Sequence, residues 1–206
     1  EGVLPAFYHL VSRNRRRWGG YIVHVGVVFI FAAFAAAPWY QEVRQTLEPG
    51  EVALAQSPLG HTYELTYEGI STNVRDPDKN LQWQAIALLS VKRDGEPLGT
   101  FTTEKRRYIR PEAQLITEVG IKSFPLEDLY IILVDADLNR ILSGDAAGQA
   151  ATFTILIKPL VGWIWAGGLI LTLGSLIAMW PSAERVRTPS NAASRSAGAQ
   201  PLPTGD

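Results

Sequence analysis

The stretch RRRWGGYIVHVGVVFIFAAFAA, residues 15–36, sets three arginines directly against a long apolar run that holds a single titratable side chain, His24. Residues 19–40 contain no Asp, Glu, Lys or Arg, and neither do residues 160–180. Each run is long enough to cross roughly 30 Å of hydrocarbon, so two transmembrane helices are expected, over 19–40 and 158–180. The first is too long, and too far from the N-terminus, for the apolar core of a signal peptide. Trp18 at one end and Trp39 and Tyr40 at the other stand where amphipathic rings prefer the headgroup layer, and Pro38 ends the helix.

Orientation follows from the flanks. Arg13, Arg15, Arg16 and Arg17 precede the first run, while Arg185 and Arg187 follow the second, and short positively charged segments stay on the cytoplasmic side. Both ends are therefore expected in the cytoplasm. Residues 1–18 read as the end of a cytoplasmic loop, and residues 181–206, rich in Pro, Ser, Ala and Gly, as a disordered cytoplasmic tail. The intervening segment, 41–157, carries seventeen acidic residues against eleven Lys and Arg. That balance suits a translocated domain, periplasmic in a bacterium with its helices in the inner membrane. The formal net charge of −1 argues against nucleic acid as a partner. Cysteine is absent, which excludes disulfides, thiolate ligands, cysteine nucleophiles and covalent haem attachment through Cys-x-x-Cys-His. Because the chain opens on Glu1 and is sparse for a membrane protein, it reads as a fragment or as one piece of a split protein.

Between the apolar runs the period changes. HTYELTYEG (61–69) and LQWQAIALLSVKRDGEPLGTFTTEKRRYI (81–109) show partial alternation, with a hairpin at Arg93-Asp94-Gly95-Glu96. LITEVGI (115–121), DLYIILVDA (128–136) and ATFTILIKP (151–159) add further strands. Six or seven short strands predict an antiparallel β sandwich or small barrel with one core, flanked by the two helices.

His24 lies seven residues beyond Arg17, which places it about 10 Å above the cytoplasmic boundary at 1.5 Å per residue. An ionisable side chain at that depth faces a protein interior or cavity. It reads either as a neutral imidazole bonded to a neighbouring helix or as an axial haem ligand, since an unprotonated imidazole nitrogen suits iron and brings no charge into the membrane. Gly20, one turn earlier, and Gly26 leave the nearby helix surface bare, as a flat macrocycle or a close helix contact requires. In the second helix Gly168 and Thr172, four apart, and Gly167 and Gly174, seven apart, suggest a contact face. Trp163 and Trp165 suit anchoring at the outer interface. His9 and His61 read as solvated or structural, and three scattered histidines make no zinc signature. Lys105, Arg106, Arg107 and Arg110 concentrate charge in an acidic domain, as a site for haem propionates or an acidic partner, or simply as a polar strand face. There is no phosphate loop or nucleophile elbow.

The pieces RRRWGGYIVHVGVV (15–28), EKRRYIRPEAQLITEVGI (104–121), DLYIIL (128–133) and KPLVGWIWAGGLILTLGS (158–175), in this order and spacing, resemble the C-terminal part of the CcmF family, the large membrane subunit of the bacterial system I cytochrome c haem lyase. The resemblance implies that His24 is one axial ligand of a b-type haem, with Gly20 packing near it and the second ligand upstream. It further implies that this haem b serves to reduce the iron of haem passing from the chaperone CcmE to apocytochrome c, with CcmH holding the thiols. The family's tryptophan-rich WWD segment and its outer-side histidines are not matched, since GWIWAGG (162–168) is a different motif. The implied function is therefore part of a haem lyase that is not catalytically complete alone and that needs the remainder of CcmF. The alternative is a membrane-anchored periplasmic β-domain acting only as an assembly or interaction module, with His24 a packing residue.

Overall fold

Two apolar helices lie side by side against one end of nine antiparallel strands in the computed structural model, which describes Gly2 and residues 14–76, 80–110, 114–144 and 148–180. In chain order the elements are α1 (Arg15–Ala35), β1 (Gln41–Leu47), β2 (Val52–Gln56), β3 (Thr62–Asp76), β4 (Leu81–Arg93), β5 (Glu96–Tyr108), β6 (Leu115–Glu118), β7 (Gly120–Ser123), β8 (Glu127–Ala136), the short α2 (Leu138–Leu142), β9 (Ala151–Pro159) and α3 (Val161–Met179). Helix α1 begins on the arginines themselves, and Pro38 falls in a 3-10 turn, Ala37–Trp39, that carries the chain out of the helix. By length and composition both helices could cross a bilayer.

The helices pack antiparallel through small residues. Gly19, Gly26 and Ala33, spaced by seven, are the buried positions of α1, and Gly167 and Gly174 are those of α3. A methyl group on Gly26 would stand 2.7 Å from the Gly167 carbonyl oxygen, and one on Gly174 2.7 Å from the Val23 amide nitrogen, so the backbones themselves touch. Gly168 and Thr172, expected on this face, lie off it. Gly168 has open space at its Cβ position, and Thr172 Oγ1 donates to the Gly168 carbonyl one turn back, at 2.8 Å. The reason is the helical repeat, which turns Gly168 by about 100° from Gly167.

The strands form two sheets, β1-β9-β8-β7 and β2-β3-β4-β5-β6, that face each other across one core. Strand β4 shows why this sequence forms a sheet. Leu81, Trp83, Ala85, Ala87, Leu89 and Val91 alternate inward and are buried, while the residues between them are not. They meet Leu129, Ile131, Leu133, Phe153, Ile155 and Ile157 of the opposite sheet. The sheets are joined at both margins, since β1 runs into β2 through the Glu48–Glu51 turn and β6 into β7 across Val119. The architecture thus combines a sandwich with a strongly curled sheet.

Among the described residues nine strands replace the six or seven expected, and three of them, at 13 to 15 residues, are long. Strands β1 and β2 and helix α2 had no expectation. The single strand expected over 115–121 divides between the sheets, and Gly120 allows the crossing because a Cβ there would stand 2.9 Å from the Thr102 carbonyl oxygen. Thr103, fully buried, bridges the same margin: its hydroxyl donates to the Glu118 carbonyl (2.9 Å) and accepts from the Leu133 amide (3.0 Å).

Candidate functional site

His24 projects from the side of α1 opposite α3. It lies five residues after Gly19 and two before Gly26, which at 100° per residue turns it roughly 140–160° from that contact row. The imidazole is exposed in this chain, in a stripe with Tyr21, Val25, Val28 and Phe31. Its Nδ1 lies 2.7 Å from the Gly20 carbonyl oxygen. A carbonyl only accepts, so Nδ1 carries the hydrogen, and in the neutral ring the lone pair is then on Nε2, which points away from the backbone. A Cβ added to Gly20 would meet nothing within 4 Å. The two glycines that flank His24 in sequence are therefore unlike in role. Gly26 belongs to the helix contact, and Gly20 leaves a flat strip of bare backbone below the ring.

An axial haem ligand requires an imidazole with one nitrogen open, a second group orienting the ring and room for a planar group beside it, and His24 offers the orienting Gly20 carbonyl and the open space at Gly20. No cluster of three or more His, Cys, Asp and Glu with metal-binding geometry occurs among the described residues. His61 sits on the β2–β3 turn with Nδ1 2.7 Å from Asp94 Oδ2. The Asp94 carboxyl is held below its ordinary range, first by the Thr62 amide and then by this imidazole. His9 lies outside the described residues. Trp163, expected as an anchor, stacks on Phe29 of α1 with ring centroids 4.7 Å apart and donates from Nε1 to the Pro125 carbonyl (3.1 Å), whereas Trp165 projects outward, 81% exposed.

The basic residues of β5 and beyond do not form one patch, because strand alternation divides them. Lys105 and Arg107 pair in register with Ala85 and Trp83 and share their inward face, whereas Arg106 pairs with Gln84 and faces out. Lys105 donates from Nζ to the carbonyl of Val134, the extra residue at a register shift in β8, and so satisfies a ladder group that the bulge releases. Arg106 binds Glu104 (2.7 Å) and Glu118 (3.5 Å), and the hydrogen bonds it donates to Tyr108 and Glu104 raise its pKa further. Arg107 Nε is buried without a hydrogen-bond partner, and Arg110 is exposed beyond the strand. Strand β5 runs away from the helices, and Lys105 lies nine residues beyond Glu96, about 30 Å along a strand. These cations and His24 do not converge.

A buried polar cluster was not anticipated. Glu127, 1% exposed, begins β8 where the β-domain meets α3, and it accepts from Ser57 Oγ, from Tyr63 Oη (2.8 Å) and from Arg93 Nη2 (3.0 Å). The guanidinium also lies 4.4 Å from the Phe124 ring centroid. Burial, reinforced by the hydrogen bond to Glu127, pushes the Tyr63 hydroxyl well above the ordinary phenol range. The four polar residues come from four separate segments of both sheets, so no local spacing announces them. Their geometry clamps the sheets at the helix end rather than offering a reactive group, because every Glu127 oxygen is engaged.

No family model matches the chain. It is similar to the cytochrome c-type biogenesis protein CcmF of Escherichia coli (strain K12), 28% identical over 171 residues, which are 82% of this chain and 24% of the relative. It is also similar to CcmF of Pseudomonas aeruginosa (28% over 177 residues, 85% of this chain, 24% of the relative) and to NrfE of Haemophilus influenzae (26% over 166 residues, 80% and 23%). The solved structure of the cytochrome c haem lyase CcmF shares its fold, with a TM-score of 0.61 and 23% identity over 82% of this chain and 26% of that one. The chain is thus CcmF-like over most of its length and spans about a quarter of the length of these relatives.

Proposed function

We propose that this chain acts in cytochrome c maturation as part of a membrane-bound haem lyase, with His24 as one axial ligand of a b-type haem and the β-domain as a docking element outside the cytoplasm. The observation that carries the reading is the pairing of a free Nε2 with bare backbone at Gly20, both turned away from α3. A second axial ligand then comes from elsewhere in the assembly, as the resemblance implies, and His61, bonded to Asp94 in the β-domain, is apart from this face. Held there, haem would supply a one-electron couple for reducing the iron of haem in transit, ahead of thioether formation between its vinyl groups and cysteine thiols. The chain's own part is to ligate and orient. The Gly20 carbonyl fixes the imidazole, and the glycine contact with α3 holds α1 so that its opposite face is presented to the remaining helices.

In this reading both chain ends are cytoplasmic, the helices cross the inner membrane, and the β-domain meets the remainder of CcmF together with CcmE, CcmH or apocytochrome c. Arg110, exposed beyond the strand, marks the membrane-distal end as the side for an acidic partner. The test is the visible spectrum of the chain assembled with the rest of the lyase. His24→Ala should abolish the bis-histidine b-type spectrum while leaving the assembly intact by size-exclusion chromatography, and Gly20→Phe should weaken haem retention with the ligand in place. An unchanged spectrum in His24→Ala would refute the ligand assignment. The reading that remains would be an anchored interaction module, which the separation of His24 from the basic strand favours.

A further inference from the structure

Three hairpin tips of the β-domain turn at the end from which both helices depart. The register places the β2–β3 and β4–β5 tips together, with Tyr63 opposite Arg93, and the β7–β8 tip beside the exit into α3, with Glu127 opposite Pro159. The Glu127 clamp ties the first and third tips together through Ser57 and Tyr63. Surface turns are ordinarily polar. Here two of the three carry Pro58-Leu59 and Pro125-Leu126, with Leu59 45% and Leu126 49% exposed. The third, Asp94-Gly95, is polar.

The height of these tips is set by direct bonds to α3. The Leu126 carbonyl accepts from the Leu160 amide (2.8 Å), and the Pro125 carbonyl accepts from Trp163 Nε1 (3.1 Å), so this tip is level with the first turn of the apolar helix. Lys158 stands at the same junction. Its ammonium lies 5.4 Å from the Tyr40 ring centroid and 5.1 Å from that of Tyr130, and among the described residues it forms no salt bridge. Apolar tips, interfacial tyrosines and a cation at one level are the composition of a surface that meets headgroups above and acyl chains below.

We infer that the helix-side rim of the β-domain is a lipid-binding surface, with Leu59 and Leu126 seated at the headgroup-to-acyl boundary of a phospholipid bilayer and Lys158 facing lipid phosphate. The inference rests on the reading that α1 and α3 span the membrane. It gives the β-domain a fixed posture on the bilayer, held by both tips as well as by the two covalent connections, with the polar Asp94-Gly95 tip marking where the contact ends.

The absence of cysteine makes the test direct. Single-cysteine variants Leu59→Cys, Leu126→Cys, Glu51→Cys and Phe31→Cys of the full chain, labelled with an environment-sensitive fluorophore, are placed in phospholipid nanodiscs with and without lipids brominated near the headgroup or deep in the chain. Labels at 59 and 126 should shift to the blue and lose roughly half their emission to shallow bromines, as expected at a depth of about 5–10 Å, while the label at 51, on the far turn, should not respond. Emission at 59 and 126 indistinguishable from that at 51 would overturn the inference, and so would a blue shift without quenching, which would mean that protein covers the tips. Quenching at 31 by deep bromines reports on the spans separately, so a failure of the rim contact is not confused with a failure of the membrane reading.

Discussion

A single hydrogen bond gives His24 its chemical character. With Nδ1 committed to the Gly20 carbonyl, the ring presents one lone pair in one direction, and a methyl group at Gly20 would add bulk to the strip beside it without touching the rest of the chain. Glu127 shows the opposite use of a polar group. Its carboxylate is buried with three donors, and removing it leaves Arg93 facing a low-dielectric interior with its charge uncompensated. Glu127→Ala should therefore destabilise the β-domain by about 3–5 kcal/mol, the usual cost of breaking a buried ion pair from one side. Glu127→Gln should cost less, because an amide still accepts from Tyr63. Chemical denaturation of the detergent-solubilised chain, followed by tryptophan fluorescence, would order the three proteins, and equal midpoints would show that the clamp contributes nothing.

The helix pair depends on positions where the two backbones meet. At Gly26 the obstructing atom is the Gly167 carbonyl oxygen, which no rotamer change can move, so Gly26→Leu should force α1 and α3 apart. Gly168→Leu, about a third of a turn from the same seam but over open space, should leave the packing intact. Cysteines introduced at Ile22, whose side chain lies against Gly174, and at Ser175, the next residue of α3, would report the difference through oxidative cross-linking without adding a side chain at a contact glycine. The expected result is efficient cross-linking in the Gly168→Leu background and at least a several-fold loss in the Gly26→Leu background. Equal yields would place the seam elsewhere. The connection from β9 into α3 is equally tight: Leu160 takes a left-handed backbone (φ 60°) so that strand turns into helix within one residue.

Taken together, the parts form a β-domain with both apolar helices attached at one end and its longest strands reaching away from them. If both helices cross the bilayer, the β-domain must lie on the side opposite both termini, because an even number of crossings returns the chain to its starting side. A compartment reporter inserted at residue 145 should be active outside the cytoplasm, and one fused at residue 206 inside it. A cytoplasmic signal at 145 would mean the inverted orientation if the reporter at 206 is then active outside, and helices that do not cross if 206 is also cytoplasmic. The same layout separates the two sets of candidate residues, with His24 inside the span and Arg107 and Arg110 at the far end of the sheet.

Much of this was legible in the residues alone. Two uninterrupted apolar runs, the arginines beside them and the alternation of Leu81, Trp83, Ala85, Ala87, Leu89 and Val91 are local signals, and local signals survive in a linear string because period and charge depend only on near neighbours. The alternation of β3 was harder to follow because a bulge between Tyr67 and Gly69 shifts the phase, so that Tyr63, Leu65 and Tyr67 face inward and then Ile70 does. Which glycines form the helix contact, which cations of 105–110 are engaged, and how Ser57, Tyr63, Arg93 and Glu127 meet were settled by folding. Most depend on what lies across a gap from residues distant in the chain, as Gly26 meets Gly167, Lys105 meets Val134 and Ser57 meets Glu127, and a burial or a bond of that kind exists only once the two sheets and the two helices have come together.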